Sequence, residues 1–160
     1  MSKRKLRVLR HPHNSHVDYN LLARRVSPVA ISIGGYKEIP DIWRHKVVGN
    51  GGSRLVIDLN DGTVMKVEKY SNYNTNSEVL RWYSASRNDR KWMLPILAHG
   101  TNWVVMPKVK LLRSCFEYNY EDDHEYTALV KETKTAVNFG DGHSGNFGWW
   151  RNRWVWLDYA

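Results

Sequence analysis

The run Asp141-Gly142-His143-Ser144-Gly145-Asn146 sets a carboxylate ahead of an amide oxygen, and a second carboxylate, Asp158, follows within Leu157-Asp158-Tyr159. Oxygen ligands of this kind suit magnesium, and an aspartate beside an acceptor hydroxyl can orient it and take its proton, which is what phosphoryl transfer needs gathered in one place. Taken alone the string is also an ordinary surface turn, since Asp, Gly, Ser and Asn are turn residues.

Other elements must position such a site. Upstream, Val48-Gly49-Asn50-Gly51-Gly52-Ser53-Arg54-Leu55-Val56 reads as strand, glycine-rich turn and returning strand, and Thr63-Val64-Met65-Lys66-Val67 as a third strand carrying one lysine. Glycines let backbone approach a polyphosphate closely, and a lysine supplies it a point charge. Asn76-Ser77-Glu78-Val79-Leu80-Arg81-Trp82 reads as a helix whose Glu78 can pair with Lys66. Each signal has a plain alternative: Asn-Gly-Gly is a common hairpin turn, a strand lysine usually faces water, and a helical glutamate usually lies on a solvated face. The order in which they arrive is what points to a catalytic core.

In that order the residues resemble a minimal protein-kinase-like fold over about Val47 to Tyr159, and the Asp-x-His-Ser-Gly-Asn loop is most similar to the early protein kinases of lytic podophages and, more distantly, to aminoglycoside and choline kinases. The resemblance implies an α+β fold with an antiparallel five-stranded N-lobe and its helix, then a truncated C-lobe of one helix, catalytic loop and hairpin. It makes Asp141 the catalytic aspartate, Asn146 and Asp158 the magnesium ligands, and Lys66, paired with Glu78, the contact to the α- and β-phosphates of ATP. Gly49, Gly51 and Gly52 would form the phosphate-covering turn, and Val48, Val56 and Val64 would wall the adenine. Met106 would be the gatekeeper, with the adenine edge meeting the Pro107 carbonyl and the Val109 amide. The activity implied is that of a phage-encoded serine/threonine kinase acting on host proteins.

Three departures qualify the resemblance. Phe139-Gly140 stand where protein kinases usually have His-Arg, so the arginine that would read an activation-loop phosphate is missing. Arg54 takes the third glycine position of the phosphate turn, bringing positive charge near the γ-phosphate. Tyr159-Ala160 replace Phe-Gly, and no activation segment follows them in this sequence, so the usual peptide-docking surface is expected to be absent. That last departure motivates a second reading, a kinase-derived pseudoenzyme that inhibits a host protein by binding it.

The 160 residues suit a single domain with a real core, short for a full kinase. A formal charge of +8 favours polyanions, whether nucleic acid, ATP or acidic proteins. The single cysteine, Cys115, fits a reducing cytosol and has a packing role as its plainest reading. No apolar run approaches the roughly 20 residues that span a bilayer, and Met1-Ser2-Lys3-Arg4-Lys5 lacks a following apolar segment. The expectation is a cytoplasmic protein, in the host cytoplasm if it is phage-encoded, with no membrane partner.

Along the chain, residues 1–28 read as a basic arm followed by a helix over Val17–Val26 that Ser27-Pro28 stops. The arm's Lys3, Arg4, Lys5, Arg7 and Arg10 can bind nucleic acid. Residues 29–109 read as the N-lobe and hinge, with strands at Val29–Ile33, Trp43–Val48, Leu55–Leu59, Val64–Lys69 and Trp103–Lys108, and an Asn60-Asp61-Gly62 hairpin. Residues 110–160 read as the C-lobe, with an amphipathic helix over Glu121–Val137 and a hairpin turning at Asn152 that brings Asp158 back over Asn146. His143 has a structural or phosphate-contacting role, because a transition-metal site would call for more imidazole or thiolate. Eight tryptophans, four of them between Trp149 and Trp156, suit either a core of large rings or base stacking beside arginines; core filling is the plainer account.

Overall fold

The computed structural model describes residues 18–32, 45–111 and 146–159. Its fold is mixed α+β, with α1 (Tyr19–Ser32), β1 (Val47–Asn50), β2 (Arg54–Asp58), β3 (Thr63–Glu68), α2 (Tyr73–Ser84), α3 (Arg87–Arg90), β4 (Ala98–His99), β5 (Trp103–Pro107), β6 (Lys110–Leu111), β7 (Phe147–Trp150) and β8 (Arg153–Trp156). The chain divides into two compact units, one of Met1–Asn76 with Ile96–Lys108, the other of Ser77–Pro95 with Val109–Ala160. The division falls inside α2.

The first unit is built on an antiparallel five-stranded sheet in the order β1-β2-β3-β5-β4. Side chains alternate across a strand, so Leu55, Ile57, Met65, Val67 and Val105 share one face, where they pack with Leu22, Ala23 and Val26 of α1. Residues 22 and 23 each lie about one turn before residue 26, which makes the three a stripe along a helix. Trp103 fixes this docking: its ring lies 5.4 Å from that of Tyr19, and its Nε1 donates to Asn20 Oδ1 at 3.1 Å. A Cβ on Gly100 would collide with the same indole, so only glycine fits there.

Turn chemistry sets the register of β2 on β3. Asn60 and Gly62 both have positive φ, 61° and 83°, the left-handed conformation that Asn and Gly accept most readily. Asp58 Oδ1 accepts from Asn60 N at 3.0 Å and Asp61 Oδ1 from Thr63 N at 2.9 Å, so the corner is held by its own side chains.

In the second unit a three-stranded sheet, β6-β7-β8, turns through Arg151 and Asn152, with φ of 48° and 61°. Positive φ at both central residues is the twist-matched geometry of a two-residue hairpin. The backbone of residues 92–94 then runs alongside β8: Trp156 N donates to Trp92 O at 2.7 Å and Leu94 N to Trp156 O at 2.9 Å. Phe147 and Trp156 pack at 4.0 Å with their rings tilted by 45°, and Met93 and Leu94, which run beside Trp156, are buried as well. Arg90 closes the end of α2, donating from Nε to Trp82 O and from Nη2 to Tyr83 O, both at 2.9 Å.

Two expectations are corrected. Residues 29–32 are helical, not a strand, because α1 continues through Ser27-Pro28 to Ser32; a proline removes one helical hydrogen bond, and the docked stripe ahead of it holds the helix in register. The fifth strand is instead Ala98–His99, added at the sheet edge beside β5. Two residues are too short for alternation to reveal. The helix expected over Glu121–Val137 lies outside the described residues.

Candidate functional site

The face of the large sheet turned away from α1 carries the predicted nucleotide residues. Cross-strand register aligns Gly49, Val56, Lys66 and Val104 in one row, and Asp58, Val64 and Met106 in the next. Gly49, Val56, Val64, Lys66 and Met106 therefore share a face. Lys66 is 8% exposed and Met106 fully buried, while Val56 and Val64 stay half-buried. A Cβ on Gly49 would come within 3.1 Å of Val56 Cγ2, so the glycine lets β1 close down on this row. Val48 falls at a register shift between Val47 and Gly49 and is 43% exposed, outside the rows. A bulge of this kind re-aims a side chain.

This face is unusually charged for one so withdrawn from water. Besides Lys66 it holds Arg54, Asp58 and Glu68, all buried. Charged side chains are seldom buried without partners, and none of Arg54, Lys66 or Glu78 lacks one. Arg54 is the first residue of β2, opposite Glu68 on β3, and not a residue of the exposed turn as its sequence position suggested. Strand pairing draws it in, because the ladder begins one residue earlier than the apolar pattern indicates. Asp58 accepts from Lys108 Nζ at 2.5 Å, which holds its carboxyl below the usual carboxylate range.

Two residues that sequence reasoning passed over organise the glycine turn and the helix. Lys69, just past β3, is buried and donates from Nζ to Asn50 Oδ1 at 2.5 Å and to Gly51 O at 2.6 Å. Lys69 N also donates to Ser53 O, and Gly51 N to Arg54 O, each at 2.9 Å. The turn is thus tied to the end of the lysine strand. Glu68 Oε1 accepts from Thr75 N at 2.6 Å, satisfying one of the open donors in the first turn of α2 with a carboxylate, the charge that end favours. Strand alternation was the available signal for Glu68, two residues from Lys66; nothing local marks Lys69.

Glu78 lies on α2 and is fully buried, so its side chain is no solvated face. Lys66 belongs to the first unit and Glu78 to the second. At the predicted hinge, Pro107 ends β5 opposite Thr63, and Lys108 N donates to Gly62 O at 2.8 Å. Val109 packs against Gly148, where a Cβ would strike it.

Within the second unit the backbone of both predicted metal ligands lies at the open end of the β7–β8 hairpin. Leu157 N donates to Asn146 O at 2.7 Å, extending the ladder one step beyond Phe147 and Trp156. Asn146 is buried and Asp158 half-buried at the same hairpin end. Asp158 is held from both sides, by buried Leu157 and by Tyr159, whose hydroxyl donates to Leu94 O at 2.8 Å. An amide and a carboxylate oxygen fit magnesium, which takes few protein ligands and fills its shell with water and phosphate. Asp141 and His143 lie outside the described residues, and among the described residues no three His, Cys, Asp or Glu side chains cluster as a metal site.

No family model, curated protein or solved structure matches the chain. Among the described residues no helix is long and apolar enough to cross a membrane.

Proposed function

We propose that the chain is an ATP- and magnesium-dependent phosphotransferase of protein-kinase-like fold, acting on serine or threonine hydroxyls of proteins. The observation that carries this reading is Lys66: a lysine buried in mid-sheet, flanked by the half-open Val56 and Val64 and in one row with a glycine that admits close approach. An ammonium withdrawn from water beside apolar walls is suited to a polyphosphate and a flat base, and is hard to account for as a surface lysine. The succession of hairpin, strand, helix, a four-residue helix and two further strands over residues 47–107 supports it, since such an N-lobe sets its hairpin, strand, helix and last two strands in that order.

In this reading Val56, Val64 and Met106 receive the adenine, Lys66 meets the α- and β-phosphates, and the Lys69-tied turn covers them. Asn146 and Asp158 hold magnesium, which neutralises charge on the transferring phosphoryl group. Asp141 orients the acceptor hydroxyl and takes its proton as oxygen bonds to the γ-phosphorus and the bond to the ADP oxygen breaks. Positioning and charge neutralisation supply the acceleration. The source as a phage product acting in a host cell rests on the resemblance of the catalytic loop alone.

The test is transfer from γ-labelled ATP to proteins of a bacterial lysate, with ATP binding measured in parallel. Asp141→Asn is expected to abolish transfer while retaining ATP, and Asp158→Asn to lose magnesium-dependent binding. Transfer that persists undiminished in Asp141→Asn, Asp158→Asn and Lys66→Met ends the proposal. A stable stoichiometric complex with one lysate protein, indifferent to Asp141→Asn, would favour the pseudoenzyme.

A further inference from the structure

The hairpin tip opposite the Asn146 end carries indoles and cations in an arrangement that core filling does not explain. Trp156 does fill the core, being fully buried. Trp149, on the same face of the sheet, is 42% exposed, lies edge-on to Trp154 at 5.0 Å and has the exposed Lys110 as its partner across to β6. On the other face the guanidinium centres of Arg151 and Arg153 lie 4.6 Å and 5.3 Å from the centre of the Trp150 ring. Both arginines are exposed, and no acidic residue occurs in 109–111 or 146–157.

An exposed arginine ordinarily surrenders rotamer freedom when it binds. One already resting on an indole has less to lose and keeps its planar N–H edges for a phosphate. An exposed indole offers a stacking surface that only an unstacked base can use, since duplex bases are already stacked on each other. An acidic peptide would answer the cations but leave Trp149 idle. Arg151 and Asn152 form the turn itself, so a backbone crossing the tip reaches both faces.

The geometry points to a binding site for single-stranded nucleic acid on the β6–β7–β8 sheet, in which Trp149 stacks on a base while Lys110, Arg151 and Arg153 neutralise phosphates. It uses none of the residues assigned to ATP or magnesium and stands or falls apart from that assignment.

Fluorescence anisotropy of the full chain with a labelled oligouridylate of about 12 nucleotides, within the range of single-domain sites, tests it across a salt series. Replacing both arginines, Arg151→Ala with Arg153→Ala, is expected to weaken binding and make the log–log salt slope shallower by about 1.4, at roughly 0.7 per phosphate contact. Trp149→Ala is expected to weaken binding on the order of 5- to 100-fold with the slope unchanged, and Trp149→Phe to recover part of it. The same dependence on Trp149 should persist when Lys3, Arg4, Lys5, Arg7 and Arg10 are all replaced by serine. Binding indifferent to the hairpin variants, or a polyglutamate peptide that binds more tightly than the oligonucleotide and loses affinity in the same variants, overturns the site.

Discussion

Lys66 and Lys69 are three residues apart and do different work. Replacing a buried lysine by an apolar residue of similar length opens no cavity but leaves the lysine's partner uncompensated, so Lys66→Met should fold with some loss of stability. Its transfer activity should fall by about 10²- to 10³-fold, the usual cost of losing one preorganised electrostatic contact; a thermal melt beside a transfer assay separates the two. Lys69→Met releases the turn from the end of β3, and the KM for ATP should rise about tenfold, in keeping with two lost charge-assisted hydrogen bonds. The glycines also divide. Gly49→Ala pushes a methyl group against Val56 and should weaken ATP binding, whereas among the described residues nothing lies within 4 Å of a Cβ on Gly52, so Gly52→Ala should leave the fold unchanged. Lys66 and Glu78 could be named from their neighbours in sequence; the importance of Lys69 could not, because its partners Asn50 and Gly51 lie across a hairpin.

Among the elements, the hairpins were the most legible. Asn60-Asp61-Gly62 and Arg151-Asn152 turn where residues tolerant of positive φ interrupt apolar runs, and local chemistry suffices to specify such a turn. Asn152→Ala removes the short polar side chain that lets asparagine accept the left-handed region and should destabilise the second unit by about 1–2 kcal/mol in chemical denaturation. The α1 helix was half legible. Helical spacing picks out Leu21, Leu22 and Val26, but Leu21 is exposed and Ala23 takes its place in the docked stripe, and the proline that was expected to end the helix does not, since docking on Trp103 and the sheet outweighs one missing hydrogen bond. Leu22→Ala should accordingly cost about 2–5 kcal/mol, the range for truncating a packed core leucine. Short pieces such as β4 and β6 exist only because a longer neighbour offers an open edge.

For the molecule as a whole, acid should act in two steps. Burial lowers the pKa of His99 from its ordinary 6.5, so the unfolded chain takes up that proton first; stability is full above about 6.5 and declines as pH falls toward the folded value. Lys108 lowers the pKa of Asp58 from 3.8, so its contribution is present above 3.8 and is lost as pH falls through the lower folded value. Urea midpoints measured against pH should show both declines. His99→Gln should erase the first and Asp58→Asn the second, the latter from a lower plateau because Lys108 loses its partner. The formal charge of +8 adds self-repulsion that grows as carboxylates protonate, and added salt should soften the second step.

Periodicity, turn residues and charge sufficed to establish an α+β chain with an antiparallel sheet, to place β2, β3, β5 and the β7–β8 hairpin, and to name Lys66, Asn146 and Asp158 as residues worth attention. These are properties of neighbours in sequence, and local sterics and alternation express them directly. Tertiary structure alone decided that Lys66 and Glu78 are buried, that Arg54 belongs to a ladder rather than a turn, that Lys69 holds the glycine turn, and that Trp149 faces water while Trp156 does not. Burial and long-range pairing depend on which distant segment covers a side chain, and no short stretch of residues carries that information.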